Sequence, residues 1–76
     1  MNNNVVDARG YSCPKPVMMM VKKITELKQG TVTVIVDNDT SKENVCRTAE
    51  ERGWTVQGVK QHEDPAFQYD ISLVKS

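Results

Sequence analysis

Thr31-Val32-Thr33-Val34-Ile35-Val36 is a run in which every residue is β-branched, bounded by Gly30 on one side and by Asp37-Asn38-Asp39 on the other. Side chains branched at Cβ suit a pleated strand, and glycine and Asx residues suit its ends, so the run predicts a central strand. Its alternation turns Val32, Val34 and Val36 toward whatever layer covers the sheet. Immediately before it, Val17, Met20, Val21, Ile24 and Leu27 recur at helical spacing, while Lys22, Lys23 and Glu26 lie off that stripe. This predicts an amphipathic helix from Pro14 to about Gln29, with Gly30 as its stop. Met19 falls on the face opposite the stripe and Met18 on its flank. The methionines read as core with spill-over, although exposed methionine also suits an adaptable binding surface.

On the other side of the strand, Thr40-Ser41-Lys42-Glu43 has the form of a capping box, Thr40 capping and Glu43 reaching back. It opens a second helix that Gly53 ends, with a thin apolar face of Val45, Ala49 and Cys46. Near the amino terminus, Val5 and Val6 lead into Asp7 and Ala8 as a short strand that Gly10 ends, after an expected disordered start over residues 1–4. Toward the carboxyl terminus, Trp54–Val59 and Phe67–Leu73 alternate and form a hairpin about the loop His62-Glu63-Asp64-Pro65. Phe67, Tyr69, Ile71 and Leu73 should face the core, with Gln68, Asp70 and Ser72 outward. The order β-α-β-α-β-β predicts one α/β two-layer sandwich domain over residues 1–76, a four-stranded mixed sheet with both helices on one face. A right-handed crossover makes the first two strands parallel.

The chemistry concentrates where the first strand meets the first helix, in Asp7-Ala8-Arg9-Gly10-Tyr11-Ser12-Cys13-Pro14-Lys15-Pro16. A helix start offers unpaired N–H groups and the positive end of the dipole. Ser12 or Cys13 can cap it, and Pro14 suits the first helical position, where its missing N–H costs nothing. Such a setting stabilises a thiolate: a free cysteine near pKa ~8.5 falls to roughly 3.5–7.5 in such places. Arg9 and Lys15 add positive charge nearby. The competing reading is a buried cysteine packed beneath a helix start.

Seventy-six residues give one small domain with no room for a deep enclosed active site. Ten Lys and Arg balance ten Asp and Glu, which removes the broad basic field of a nucleic-acid binder, so DNA is not expected as a partner. The polar start and the lack of a long apolar run predict a cytoplasmic protein that does not enter a membrane. Cys13 and Cys46 stand 33 positions apart, too far for a Cys-x-x-Cys redox pair or a zinc knuckle. With His62 as the one histidine, neither a metal nor a bound cofactor is expected, and His62 is not assigned as a base. Cys46 reads as a small core residue rather than a resolving thiol.

Arg9-Gly10-Tyr11-Ser12-Cys13-Pro14-Lys15-Pro16 resembles the Cys-Pro-x-Pro motif of the TusA/SirA/YedF family of small sulfur carriers, and the resemblance covers nearly the whole chain. Val36-Asp37-Asn38 and Lys42-Glu43-Asn44-Val45 look most like the YedF branch, often described as selenium-metabolism proteins on genomic grounds. The resemblance implies a two-layer sandwich and a transient persulfide on Cys13. Arg9, Gly10, Ser12, Pro14, Lys15 and Pro16 would then form and position the motif. It further implies a sulfur donor protein such as a cysteine desulfurase, a sulfur-accepting protein, and a monomeric carrier. The family has been linked to tRNA thiolation, thiosulfate use, sulfur oxidation and selenium metabolism, among which fold and motif do not choose. This chain departs from the family pattern at Tyr11, where leucine is commoner, and in having no proline after Asp37 and Asp39. YedF-like proteins often carry a second domain, so the chain reads either as a stand-alone paralogue or as an excised domain. The alternative function is an interaction or regulatory module in which the motif is only a structural helix start.

Overall fold

The structure, a computed structural model, describes residues 4–12, 14–64 and 66–75. Cys13 and Pro65 lie outside the described residues, as do positions 1–3 of the segment expected to be disordered; Asn4 is tied to the sheet. Its carbonyl accepts from Thr33 N–H at 2.8 Å, and its side-chain amide donates to the Thr31 carbonyl at 3.1 Å.

The elements follow the expected order: β1 (Val5–Asp7), α1 (Lys15–Leu27), β2 (Gly30–Val36), α2 (Asp39–Glu51), β3 (Thr55–His62) and β4 (Gln68–Lys75). The sheet order is β1-β2-β4-β3, with β1 parallel to β2 and β4 antiparallel to both of its neighbours. α1 packs over β1 and β2, and α2 over β3 and β4. Between these layers Val32, Val34, Val36, Ile71 and Leu73 are fully buried against Met20, Ile24, Val45 and Ala49. Burying one such valine, leucine or isoleucine side chain contributes about 1.5–3 kcal/mol, so this alternating set carries most of the fold.

Several local expectations shift. α1 begins one residue later than read, with Pro14 at the N-cap and Pro16 in the first turn. It ends at Leu27, because Lys28 adopts φ 69° and returns its N–H to the Ile24 carbonyl at 2.8 Å. Gly30 therefore opens β2 instead of stopping the helix. α2 is capped by Asn38, whose side-chain oxygen accepts Ser41 N–H at 2.8 Å, and Thr40 falls inside the helix. Its far end is a Schellman closure: Trp54 N–H reaches the Ala49 carbonyl at 2.9 Å and Gly53 N–H the Glu50 carbonyl at 3.1 Å. Gly53 sits at φ 87°, a conformation that any side chain would strain.

Met19 is half-buried and packs against the core, whereas Met18 is 60% exposed. Met19 lies where α1 faces the edge strand, in a groove it shares with Val5 and Val6, a second packing direction that the helical stripe alone did not foresee. Phe67 precedes β4 and stands 42% exposed, edge-on to Tyr69 with ring centroids 5.0 Å apart. The hairpin strands are also longer than read, placing His62 in β3 and not in the loop.

Candidate functional site

Parallel pairing brings the start of the motif against the end of β2. With Asp7 in register with Ile35, the residues just beyond each strand emerge side by side. Ala8, fully buried, donates its N–H to the Ile35 carbonyl at 2.8 Å. Gly10 turns at φ 83° and donates its N–H to Asp37 Oδ2 at 2.9 Å. The other oxygen of Asp37 accepts Asn38 Nδ2 at 3.0 Å, so the motif loop is linked through Asp37 to the residue that caps α2. In the sequence Asp37 marks the end of the central strand and belongs to the stretch that carries the branch resemblance, with no sign of a contact to Gly10. The parallel register is the signal that could have found its role.

Arg9 is occupied elsewhere. Its Nε and Nη2 make a bidentate contact with Asp7, at 2.9 and 2.7 Å, and its Nη1 donates to Gln68 Oε1 at 3.0 Å. These hydrogen bonds hold the Asp7 carboxyl down at about 2. Gln68 turns its Nε2 to Asp70 Oδ1 at 3.0 Å, and the other Asp70 oxygen faces His62 Nε2 at 2.8 Å. A polar chain thus crosses the end of the sheet from Asp7 through Arg9, Gln68 and Asp70 to His62. The positive charge foreseen beside the thiol is therefore already neutralised at Arg9. His62 closes this polar chain at its far end.

Beyond Gly10 the loop is open. Tyr11 is 47% exposed, and the Lys15 ammonium lies 5.8 Å from its ring centroid. Lys15 N–H bonds to the Ser12 carbonyl at 2.9 Å, closing the chain over positions 12–15. Cys13, the candidate nucleophile, falls between these positions in the sequence and lies outside the described residues. Pro14 is exposed, whereas Pro16 is fully buried and anchors the first turn to the core. Neither Ser12 nor any other described side chain caps α1. An open pocket of about 530 Å³ lies beside the loop between Tyr11 and Phe67, with Asp37 on its wall.

Cys46 is half-buried on α2 and packs against the core. Burial, reinforced by the Glu50 carboxylate, pushes its thiol above the usual range. Among the described residues no group of His, Cys, Asp and Glu gathers closely enough to hold a metal ion, and no helix is long and apolar enough to cross a membrane. Tyr69 Oη donates to Asp39 Oδ1, and the Lys42 ammonium lies 4.6 Å from the Tyr69 ring. That contact bridges 30 residues and left no local trace in the sequence.

Comparison with known proteins places these features among relatives. The family model described as Sulfurtransferase TusA matches residues 4–72. The chain is 46% identical over 41 residues to the sulfur carrier protein TusA of Buchnera aphidicola, a match spanning 54% of this chain and 52% of that protein. It is 34% identical over 61 residues to a candidate sulfur carrier protein of Archaeoglobus fulgidus, covering 79% and 84% of the two chains. The crystal structure of a SirA-like protein from Desulfitobacterium hafniense superposes with a TM-score of 0.78 at 34% identity, over 95% of this chain and 96% of that one.

Proposed function

The chain belongs to the TusA family of sulfurtransferases, and from that premise we propose that it is a sulfur carrier holding a persulfide on Cys13. The Cys13 thiolate attacks the terminal sulfur of a donor persulfide. One S–S bond forms at Cys13 as the donor's breaks, the donor leaves as a thiolate, and no net oxidation occurs. Delivery repeats the exchange with an acceptor thiolate, and Cys13 is the leaving group. The chemistry needs an accessible thiol, a stabilised anion and no enclosed cavity, which suits a small domain that inserts its motif into larger partners.

The observation that carries the reading is the family match over residues 4–72, which includes the whole Cys-Pro-x-Pro motif. The hold on Gly10 by Asp37 and the turn from Ser12 to Lys15 support it by fixing both flanks of Cys13. A cysteine desulfurase or similar protein is the donor, a sulfur-accepting protein the recipient, and the carrier works as a cytoplasmic monomer. The placement nearer the YedF branch, with its link to selenium metabolism, rests on Val36-Asp37-Asn38 and Lys42-Glu43-Asn44-Val45.

Mass spectrometry after incubation with a cysteine desulfurase and cysteine tests the reading. The wild-type chain should gain the mass of one sulfur and lose it to a thiol reductant, and Cys13→Ser should gain none. Unchanged uptake in Cys13→Ser, or none in the wild type, would reject it.

A further inference from the structure

We infer that the free edge of β1, together with the basic side of α1, is a docking groove for an extended acidic segment of a partner protein. β1 pairs with β2 and lies at the sheet's edge. The Asn4 carbonyl and the Ala8 N–H both bond to β2. Backbone groups alternate in direction along a strand, so the N–H and C=O groups of Val5 and Asp7 point away from the sheet. A groove of about 430 Å³ follows that edge and is touched in succession by Val5, Val6 and Asp7. Consecutive strand residues project to opposite faces, so a cavity lined by all three runs along the rim of the strand. Val5, 48% exposed, and the half-buried Met19 supply apolar surface.

Charge selects the occupant. Lys15, Lys22 and Lys23 line the helical wall, with Glu26 as that wall's acid. The ion pairs among the described residues are Arg9–Asp7, Lys42–Asp39 and His62–Asp70, so none of these three lysines is matched. Asp7, the other acid of the groove, is already met by Arg9 at 2.7 Å. In a chain whose charges otherwise balance, the groove is a local positive excess. A second copy pairing through the same edge would set two lysine clusters face to face, a device that protects edge strands from self-association. A segment bearing carboxylates meets no such repulsion. Strand addition then supplies affinity through the main chain and selectivity through the side chains. The groove ends at Tyr11 and Lys15, within the motif stretch, so a docked partner lies beside it. This inference concerns binding and stands whether or not Cys13 carries sulfur.

The test is amide chemical-shift mapping on the isotope-labelled full chain. The probes are a blocked octapeptide of alternating valine and glutamate, its lysine counterpart, and two acidic versions N-methylated on one or the other alternate set of residues. The acidic peptide should shift the amides of Val5–Asp7 and of Lys15–Glu26, and bind more weakly as salt rises. The lysine peptide should not bind, and one of the two methylated peptides should fail. The double variant Lys22→Glu/Lys23→Glu, at surface positions, should lose affinity by about tenfold or more. No shift at β1 with the acidic peptide at millimolar concentration, equal binding of the lysine peptide, or undiminished binding of both methylated peptides would overturn it.

Discussion

The two helices begin in opposite ways. α2 starts at a closed end: Asn38 caps it, Asp39 supplies a negative charge in the first turn, and Asn38 also donates to Asp37. α1 starts at an open one, with Pro14 at the N-cap, no described side chain bonded to its first turn and no acidic residue there. A helix start that serves only the fold gains from filling its N–H groups and complementing its dipole. Among the described residues α1 has no such complement, and in the sequence it follows directly on Cys13. The closed end also steadies the open one, since Asp37 holds Gly10.

The contrast is sharpest between the two thiols. Cys46 lies inside α2, where burial and Glu50 raise its pKa, whereas Cys13 immediately precedes Pro14, the N-cap residue of α1. Alkylation at neutral pH should modify Cys13 faster than Cys46 by about tenfold or more, because the thiolate is the reacting form. Peptide mapping after a short pulse of iodoacetamide reads the order. Faster labelling of Cys46 would erase the distinction and leave the motif as a structural turn. Cys46→Ser should keep full sulfur uptake.

Opening the closed end comes next. Asn38→Ala removes the cap and the donor to Asp37, and should cost about 1 kcal/mol, read as a lower denaturant midpoint at unchanged slope. Asn38→Asp should recover only part of that loss, since it restores an acceptor for Ser41 N–H but sets a like charge where the donor to Asp37 stood. If Asn38→Ala were neutral, the cap would not be what closes α2. At the open end, Pro14→Ala should move stability by no more than about 0.5 kcal/mol, because Pro14 is exposed and no side-chain bond depends on it. Slower sulfur uptake in that variant, with unfolding unchanged, would separate positioning of the thiol from support of the fold.

These contrasts also show what a sequence can reveal. The β-branched run at Thr31–Val36 and the alternation at Tyr69, Ile71 and Leu73 decided the sheet, because burial on one face imposes a period of two that few other arrangements produce. The α2 cap was misplaced for a physical reason: Asp37-Asn38-Asp39-Thr40-Ser41 offers five consecutive residues able to cap, and the choice is made by where β2 releases the chain. Met19 was misjudged because a single-stripe reading assumes one packing partner, while α1 also meets the edge strand. The motif singled out Cys13 as the candidate nucleophile. Its supports did not show, since Asp37 reaches Gly10 across 27 residues and Gln68 reaches Arg9 across 59.

The smallest effect should come from the ion pair that precedes the open end. Arg9, mainly through its side-chain hydrogen bonds, lowers the Asp7 carboxyl from an ordinary 3.8 to about 2. A folded-state pKa below the unfolded one means that the unfolded chain binds the proton more readily. The pair's contribution is therefore complete above about pH 4 and lost as pH falls through about 2. Both side chains are about half exposed, so solvent and salt screen the interaction and the contribution is small. Asp7→Asn keeps an acceptor for Arg9 but removes the titrating charge. The stability gap between wild type and Asp7→Asn should thus be constant from neutral pH to about pH 4, narrow between there and pH 2, and shrink throughout when salt is raised. Urea titrations at successive pH values measure that gap. A gap that stayed constant down to pH 2 would mean that Arg9 holds the loop through hydrogen-bond geometry and its link to Gln68, with the charge of Asp7 contributing nothing.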